Sequence, residues 1–170
     1  TNVLATTNNT MKRAMNEFDV YVRYNNAVNM IRKIKAFKES PLSEEFSSRN
    51  PYGLPTNIRG NEKGTIIVYS SKGIGHLEKE DIIASRDTID KYKIMVSRIS
   101  CEHAGEPDKT GMYKVLATVK VLKPGEVCTD SYIIGHPTNS YVEISNFEKY
   151  LKTKFARFLI IQALSGINLT

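Results

Sequence analysis

The sequence predicts an α+β (mixed α/β) fold: a single compact domain whose mixed or antiparallel sheet carries an amphipathic N-terminal helix and a long C-terminal helix. Three observations lead there. Clear helical periodicity is confined to residues 25–38 and 142–164, while the chain between them breaks into short β-branched runs punctuated by Gly and Pro. The order helix, strands, helix implies helices gathered on one side of a sheet. With 170 residues, 41% of them hydrophobic and 25% charged, the chain can bury one proper core.

Residues 1–10 are polar, and 11–22 are ambiguous, because KRAMNEF suits a helix while DVYVR alternates as a strand does. Residues 1–22 are therefore an N-terminal segment without an assigned fold, and 23–170 form the domain. From Asn25 the pattern clears. Val28, Ile31, Ile34 and Phe37 recur at helical spacing, with Arg32, Lys33, Lys35 and Lys38 on the other positions. This is an amphipathic helix with a basic outer face, ending before Ser40-Pro41. Ser43, Glu44 and Glu45 start one short helical turn.

TIIVY, at 65–69, is a strand by its β-branched run and is closed by the turn SSKGIG. Within 77–90, EKEDIIAS and DTIDKY suggest two short helical pieces. Residues 94–96 and 115–121 are further strands, separated by the turn-rich HAGEPDKTG. Lys123-Pro124-Gly125 turns the chain into VCTDSYIIG, a strand over 127–135 ended by His136-Pro137. In the last segment Ile144, Phe147, Leu151, Phe155, Phe158 and Leu159 share a face, an aromatic stripe that belongs to a core rather than to a cofactor.

The formal charge of +6 and pI near 9.2 favour an anionic partner, of which nucleic acid is the commonest. No apolar run approaches the ~20 residues of a membrane span, so no membrane partner is expected. The start TNVLATTNNT has neither an initiator Met nor a charged-then-apolar leader, which predicts a piece of a longer chain without a signal peptide. Two cysteines, Cys101 and Cys128, fit a reducing cytoplasm better than a disulfide framework.

Fragments that look catalytic do not complete a site. Asn50-Pro51-Tyr52 is one residue short of the Asn-Pro-Pro-Tyr tetrad that grips an extruded base, and Ser47, Ser48 and Arg49 before it are too polar for the buried strand such a tetrad ends. Gly73-Ile74-Gly75 lacks the third glycine of a nucleotide loop and suits a tight turn. Pro107-Asp108 could open a metal-dependent nuclease motif, but no Glu in the chain is followed two positions on by Lys. Cys101, His103, Cys128 and His136 are zinc-compatible types at irregular spacing with no Cys-x-x-Cys, so no metal site is expected. No catalytic residue and no cofactor is assigned to this segment. Two rivals to a binding role are a self-contained metal-dependent nuclease using Asp81, Glu102 or Asp108, and a protein-interaction module whose helix at 25–38 docks on a partner subunit.

The stretch SSRNPYGLPTNIRGNEKG, at 47–64, is too long and polar for a simple connection. Its two prolines and three glycines exclude a continuous helix or central strand. Tyr52 and Leu54 can anchor it, and it presents Arg49, Arg59 and Lys63 with Asn50, Asn57 and Asn61 between them. Arg reads guanine and Asn reads adenine in a major groove, while other cations neutralise phosphates. The bland reading is also available: Asn caps its own backbone in loops, and Arg49 can pair with Glu44 or Glu45.

Five separated blocks in register, SSRNPYGLPTNIRG, IIVYSSKGIGHL, IDKYKIMVSR, EVCTDSYIIG and YLKTKFARFLIIQAL, carry a resemblance over roughly residues 23–164. The chain resembles the target recognition (specificity) domain of adenine-specific DNA methyltransferases from bacterial restriction–modification systems, including forms with a fused restriction endonuclease. The resemblance implies a double-stranded DNA partner and a methyltransferase domain upstream in the same chain, which would hold S-adenosylmethionine and the catalytic tetrad. It implies that Arg49, Asn50, Tyr52, Thr56, Asn57 and Arg59 lie near DNA, with Lys72 and His76 alongside, and that Lys91, Lys93 and Arg98 contact phosphates. Cys128 would be an interior strand residue. EHAGEPDKTGMYKVLATVKVLKPG has no close match to the family, and neither do the first ~20 residues.

Overall fold

Two three-stranded sheets, rather than one, take up the β-branched runs of the α+β fold. The computed structural model describes residues 2–4, 10–22, 24–58, 60–99, 109 and 115–163. In chain order the elements are β1 (Asn2–Leu4), β2 (Thr10–Lys12), α1 (Asn25–Lys35), β3 (Ile66–Ser70), β4 (Gly73–Leu77), β5 (Tyr92–Ser97), β6 (Val119–Leu122), β7 (Glu126–Cys128), β8 (Tyr132–Thr138), α2 (Tyr141–Leu151) and α3 (Lys154–Ala163). Short 3-10 turns occupy Leu42–Glu45, Lys79–Asp81 and Arg86–Thr88, where brief helical pieces were expected. The first sheet runs β4-β3-β7 and is mixed, with β7 parallel to β3; the second runs β6-β5-β8 and is antiparallel.

Strand β5 explains why two sheets form. Its Ile94 and Val96 pack with Ile133 of β8 and with Ile144 and Leu151 of α2. Because side chains alternate along a strand, Met95 faces the other way, into a core shared with Val68, Leu77, Val127 and Cys128 of the first sheet. A strand buried on both faces is a continuous apolar run, as this one is from Ile94 to Val96. The layers are thus the mixed sheet, the antiparallel sheet, and α2 on its outer face.

The apolar run expected to be one strand over 127–135 is divided. Its polar centre, Thr129-Asp130-Ser131, turns the chain from one sheet to the other, and Tyr132 N–H closes the turn on Thr129 O at 3.0 Å. β8 then continues past the expected stop to Thr138. His136 adopts a φ of 51°, and the register against β5 slips between Tyr92 and Ile94, which is how a strand accommodates Pro137 without a ladder donor. β6 is shorter than expected, covering only the second half of 115–121. The Gly73-Ile74-Gly75 stretch is the start of β4 rather than a turn; only Gly73, with φ at 122°, belongs to the bend.

The expected long C-terminal helix is two. Thr153 ends the first by donating its hydroxyl to Tyr150 O, and caps the second by accepting from Ala156 N–H at 3.1 Å. Helix α1 forms as its periodicity dictates, with Ala27 and Val28 buried, Ile31 and Ile34 half-buried and Arg32, Lys33 and Lys35 outside. Phe37 lies beyond its end, 75% exposed, and does not extend the stripe. The N-terminal segment packs against α1: Arg13, buried, donates to Val22 O and Asn25 Oδ1, while Glu17 and Asp19 pair with Arg32 and Lys35. Met11, Phe18 and Val22 join Val28 and Phe158 in a satellite core. Among the described residues no helix is long and apolar enough to cross a membrane.

Candidate nucleic-acid interface

The described residues of the loop at 47–64 form a wedge between the two sheets. It leaves the antiparallel sheet where Ser47 exchanges hydrogen bonds with Ile134, its N–H donating to the carbonyl and its Oγ accepting from the amide. Tyr52 and Leu54 then drive into the central core with essentially no exposure, as their apolar surface demands. Leu54 O accepts from Asp130 N–H, which ties the wedge to the turn between β7 and β8. The crest over 55–57 is exposed. Beyond it Asn61 N–H donates to His76 O at 2.7 Å, so the loop finishes on the edge of β4 in the mixed sheet. That landing requires Gly60: its φ is 68°, and a Cβ there would meet His76 O at 1.9 Å. Asn61 Oδ1 accepts from the amides of Lys63 and Gly64, a local turn of the kind asparagine favours.

Where the wedge, the β3–β4 bend, the end of β5 and the β7–β8 turn converge, there is a cleft of about 390 Å³ lined by Thr56, Ser71, Ser97, Arg98, Ile99, Thr118, Ser131 and Tyr132. Six of these, Tyr132 among them, carry a hydroxyl and none is a carboxylate. The nearby carboxylate, Asp130, is neutralised by Arg49 through two hydrogen bonds of 2.9 and 2.8 Å. Those bonds hold the Asp130 carboxyl below its ordinary range. Arg49 keeps 64% of its side chain exposed and so stays available at the rim. Lys72 adjoins Ser71 in the bend, and Lys120 lies 3.7 Å over the Tyr69 ring.

The residues proposed for DNA contact therefore sort into groups. Thr56 and Arg98 line the cleft; Arg49, Asn57 and Lys72 flank it. Lys63 and His76 sit by the β4 edge, with Lys63 exposed and His76 half-buried. Lys91 is at the opposite end of β5 from Arg98, about 23 Å away at ~3.3 Å per strand residue, and it lies 3.9 Å from Asp87. Asn50 is half-buried with φ at 54°, and its Oδ1 is buried without a partner among the described residues. Arg59 lies outside the described residues.

Two expectations are corrected. Tyr52 cannot touch DNA, because its ring is fully buried and its hydroxyl bonds Thr88 Oγ1 at 2.9 Å. Lys93 cannot contact a phosphate either: it is fully buried, and its Nζ donates to the carbonyls of Thr88, Ile89 and Lys91 at 2.9 to 3.1 Å. Both sit on inward positions that a residue-type argument assigns to the surface. Conversely, Ser71, Ser97, Thr118 and Ser131 carry no motif that marks them. The only hint is the polar Thr129-Asp130-Ser131 triplet inside an apolar run, which is a turn signal.

Among the described zinc-compatible residues, Cys128 is buried in β7 with its thiol pushed up to about 12 by desolvation. His136 sits between two carboxylates, Nδ1 at 2.7 Å from Glu45 and Nε2 at 2.9 Å from Glu143, with its ring stacked on Phe147. The carboxylates lie on opposite sides of the imidazole and do not converge on a common point. Cys101, Glu102, His103 and Asp108 lie outside the described residues, and Asp81 accepts from Glu78 N–H as a cap. Among the described residues no group of three His, Cys, Asp or Glu is arranged to hold a metal ion.

Burial lowers the affinity of His136 for a proton, but hydrogen bonds and charge from Glu45 and Glu143 outweigh it and raise the pKa. A raised folded-state value means the bridge contributes fully below the ordinary value of 6.5 and is lost as pH rises through the folded value. Melting temperature is expected to fall by about 1–2 °C over that rise, small because water screens the pairs. His136→Gln should flatten the profile; an unchanged profile in that variant would remove His136 as the cause.

Comparison with protein-family models, with curated proteins and with solved structures finds no match for this chain.

Proposed function

We propose that this chain is a sequence-specific double-stranded DNA recognition domain of a bacterial, cytoplasmic restriction–modification adenine methyltransferase, in a form that can also carry an endonuclease. In that reading an upstream domain of the same polypeptide binds S-adenosylmethionine, flips the adenine and transfers the methyl group. This domain grips the neighbouring duplex and discriminates its bases. The observation that carries the reading is the convergence of Arg49, Thr56, Asn57, Lys72 and Arg98 on and around a carboxylate-free polar cleft, beside an exposed loop crest. The net charge of +6 supports it.

The division of labour is testable by selecting duplexes from a randomised pool and measuring binding across a salt series. Arg59→Ala is expected to cost ~1–3 kcal/mol on the selected site and relax preference at one position, as loss of a guanine reader does. Lys72→Ala is expected to weaken selected and random duplexes alike and reduce the salt slope by about 1. Failure to enrich any sequence, with no retention on DNA at low salt, would refute the proposal.

A further inference from the structure

Arg98 contributes a guanidinium to the wall of the cleft. Arg98 Nε is enclosed and, among the described residues, has no hydrogen-bond acceptor. Buried polar groups are almost always satisfied, so an unpaired Nε marks a guanidinium that the protein's own described acceptors do not saturate. The same cleft is lined by the hydroxyl residues Thr56, Ser71, Ser97, Thr118, Ser131 and Tyr132.

The walls are held before any ligand arrives. Arg98 N–H donates to Ser131 O at 3.1 Å and Ser97 N–H to Thr118 O at 3.3 Å, fixing the end of β5 to both neighbours. Thr129 N–H donates to Tyr69 O at 3.0 Å, fixing the turn to the mixed sheet. The donors are therefore preorganised, which lowers the ordering cost of binding.

The donor set selects an anion and narrows its type. A guanidinium pairs two donors with two oxygens of a carboxylate or a phosphate. A carboxylate leaves surrounding hydroxyls little to bond, whereas a phosphate diester offers several acceptor lone pairs around one centre. Asp130, next to Ser131, is paired with Arg49, which offsets its charge. At about 390 Å³ the space exceeds what a bare phosphate needs and admits the sugar attached to it.

We infer that this cleft seats one backbone phosphate of a nucleic acid, gripped by Arg98 and the ring of hydroxyls. The inference rests on the nucleic-acid reading above and specifies which side chains anchor the strand. Arg98 would set the register of the duplex, leaving the loop crest over 55–57 to face base edges.

The test follows the Arg98 Nε–Hε resonance of the whole 170-residue chain during titration with sodium phosphate against sodium chloride at equal ionic strength. A saturable shift with phosphate alone is expected, and R98K, which keeps the charge but loses the planar guanidinium fork, should abolish tight binding while retaining the native amide spectrum. Duplexes from the selection, each with one phosphate replaced by a neutral methylphosphonate, supply the second arm. One replacement should weaken the unaltered protein about tenfold, the scale of one charge-assisted contact, and leave R98A unaffected. S131A should weaken the same contact without shifting the others. If duplexes bind with sequence preference but Arg98 does not respond, the seat is refuted and the DNA reading survives. If free phosphate binds while no methylphosphonate position couples to Arg98, the site takes a free anion and its assignment to a nucleic-acid strand is overturned.

Discussion

Tyr52→Ala is expected to destabilise the protein by about 3–5 kcal/mol, the usual cost of emptying a large aromatic site. The ring is fully buried at the centre of the larger core, against residues of both sheets, so no single element can relax into the gap. Its hydroxyl is committed as well. Thr88 donates its own hydroxyl to Ser85 O at 2.8 Å, which leaves Tyr52 as donor in the 2.9 Å bond between them. Burial raises the phenol well above its ordinary range, so it stays protonated at any working pH. Tyr52→Phe keeps the volume and loses that bond alone, at about 1 kcal/mol. Urea unfolding of the two variants measures both effects. A Phe variant that remains folded yet loses DNA retention would contradict the placement of Tyr52 as a core residue.

Lys93 should make stability depend on alkaline pH in an unusual direction. Desolvation pulls its amine down to about 8 from the ordinary 10.5, only partly opposed by the nearby carboxylates of Glu126 and Asp90. Between those values the unfolded chain holds a proton that the folded chain has released, so stability rises with pH. The full effect is about 3 kcal/mol, from ~1.4 kcal/mol per unit of pKa difference. Cys128 works against it from about pH 9, where the unfolded thiol ionises while the folded one stays protonated to about 12. The difference between the native protein and Lys93→Met isolates the lysine, because Met has similar volume and no charge. That difference should swing by about 3 kcal/mol between pH 7 and 11 in denaturant titrations. Parallel curves would mean that the three carbonyls around Nζ hold the charged form as well as water does.

Much of the architecture was legible in local patterns. The spacing of Val28, Ile31 and Ile34 located α1, and the β-branched runs located β3 and β5. Prolines and glycines in 47–64, with Tyr52 and Leu54 between them, marked an anchored loop. Two patterns misled about where one element ends and the next begins. The run VCTDSYIIG has the apolar content of one strand, yet Asp130 is bound by Arg49, 81 residues earlier, and that pairing stabilises a turn. The C-terminal periodicity continues through Thr153, but the hydroxyl there caps a new helix more effectively than it extends the old one.

By itself the sequence determined where α1, β3 and β5 lie, that the apolar face of α1 is the one carrying Val28, and that the chain carries an excess of cations. Those are consequences of spacing and composition, which act within a few residues. The tertiary structure alone decided that two sheets share a core, that Tyr52 and Lys93 point into it, and that hydroxyls from five separate segments line one cleft with Arg98. The physical reason is that burial and convergence depend on which surfaces meet across long stretches of chain, and periodicity records only that a surface needs a partner.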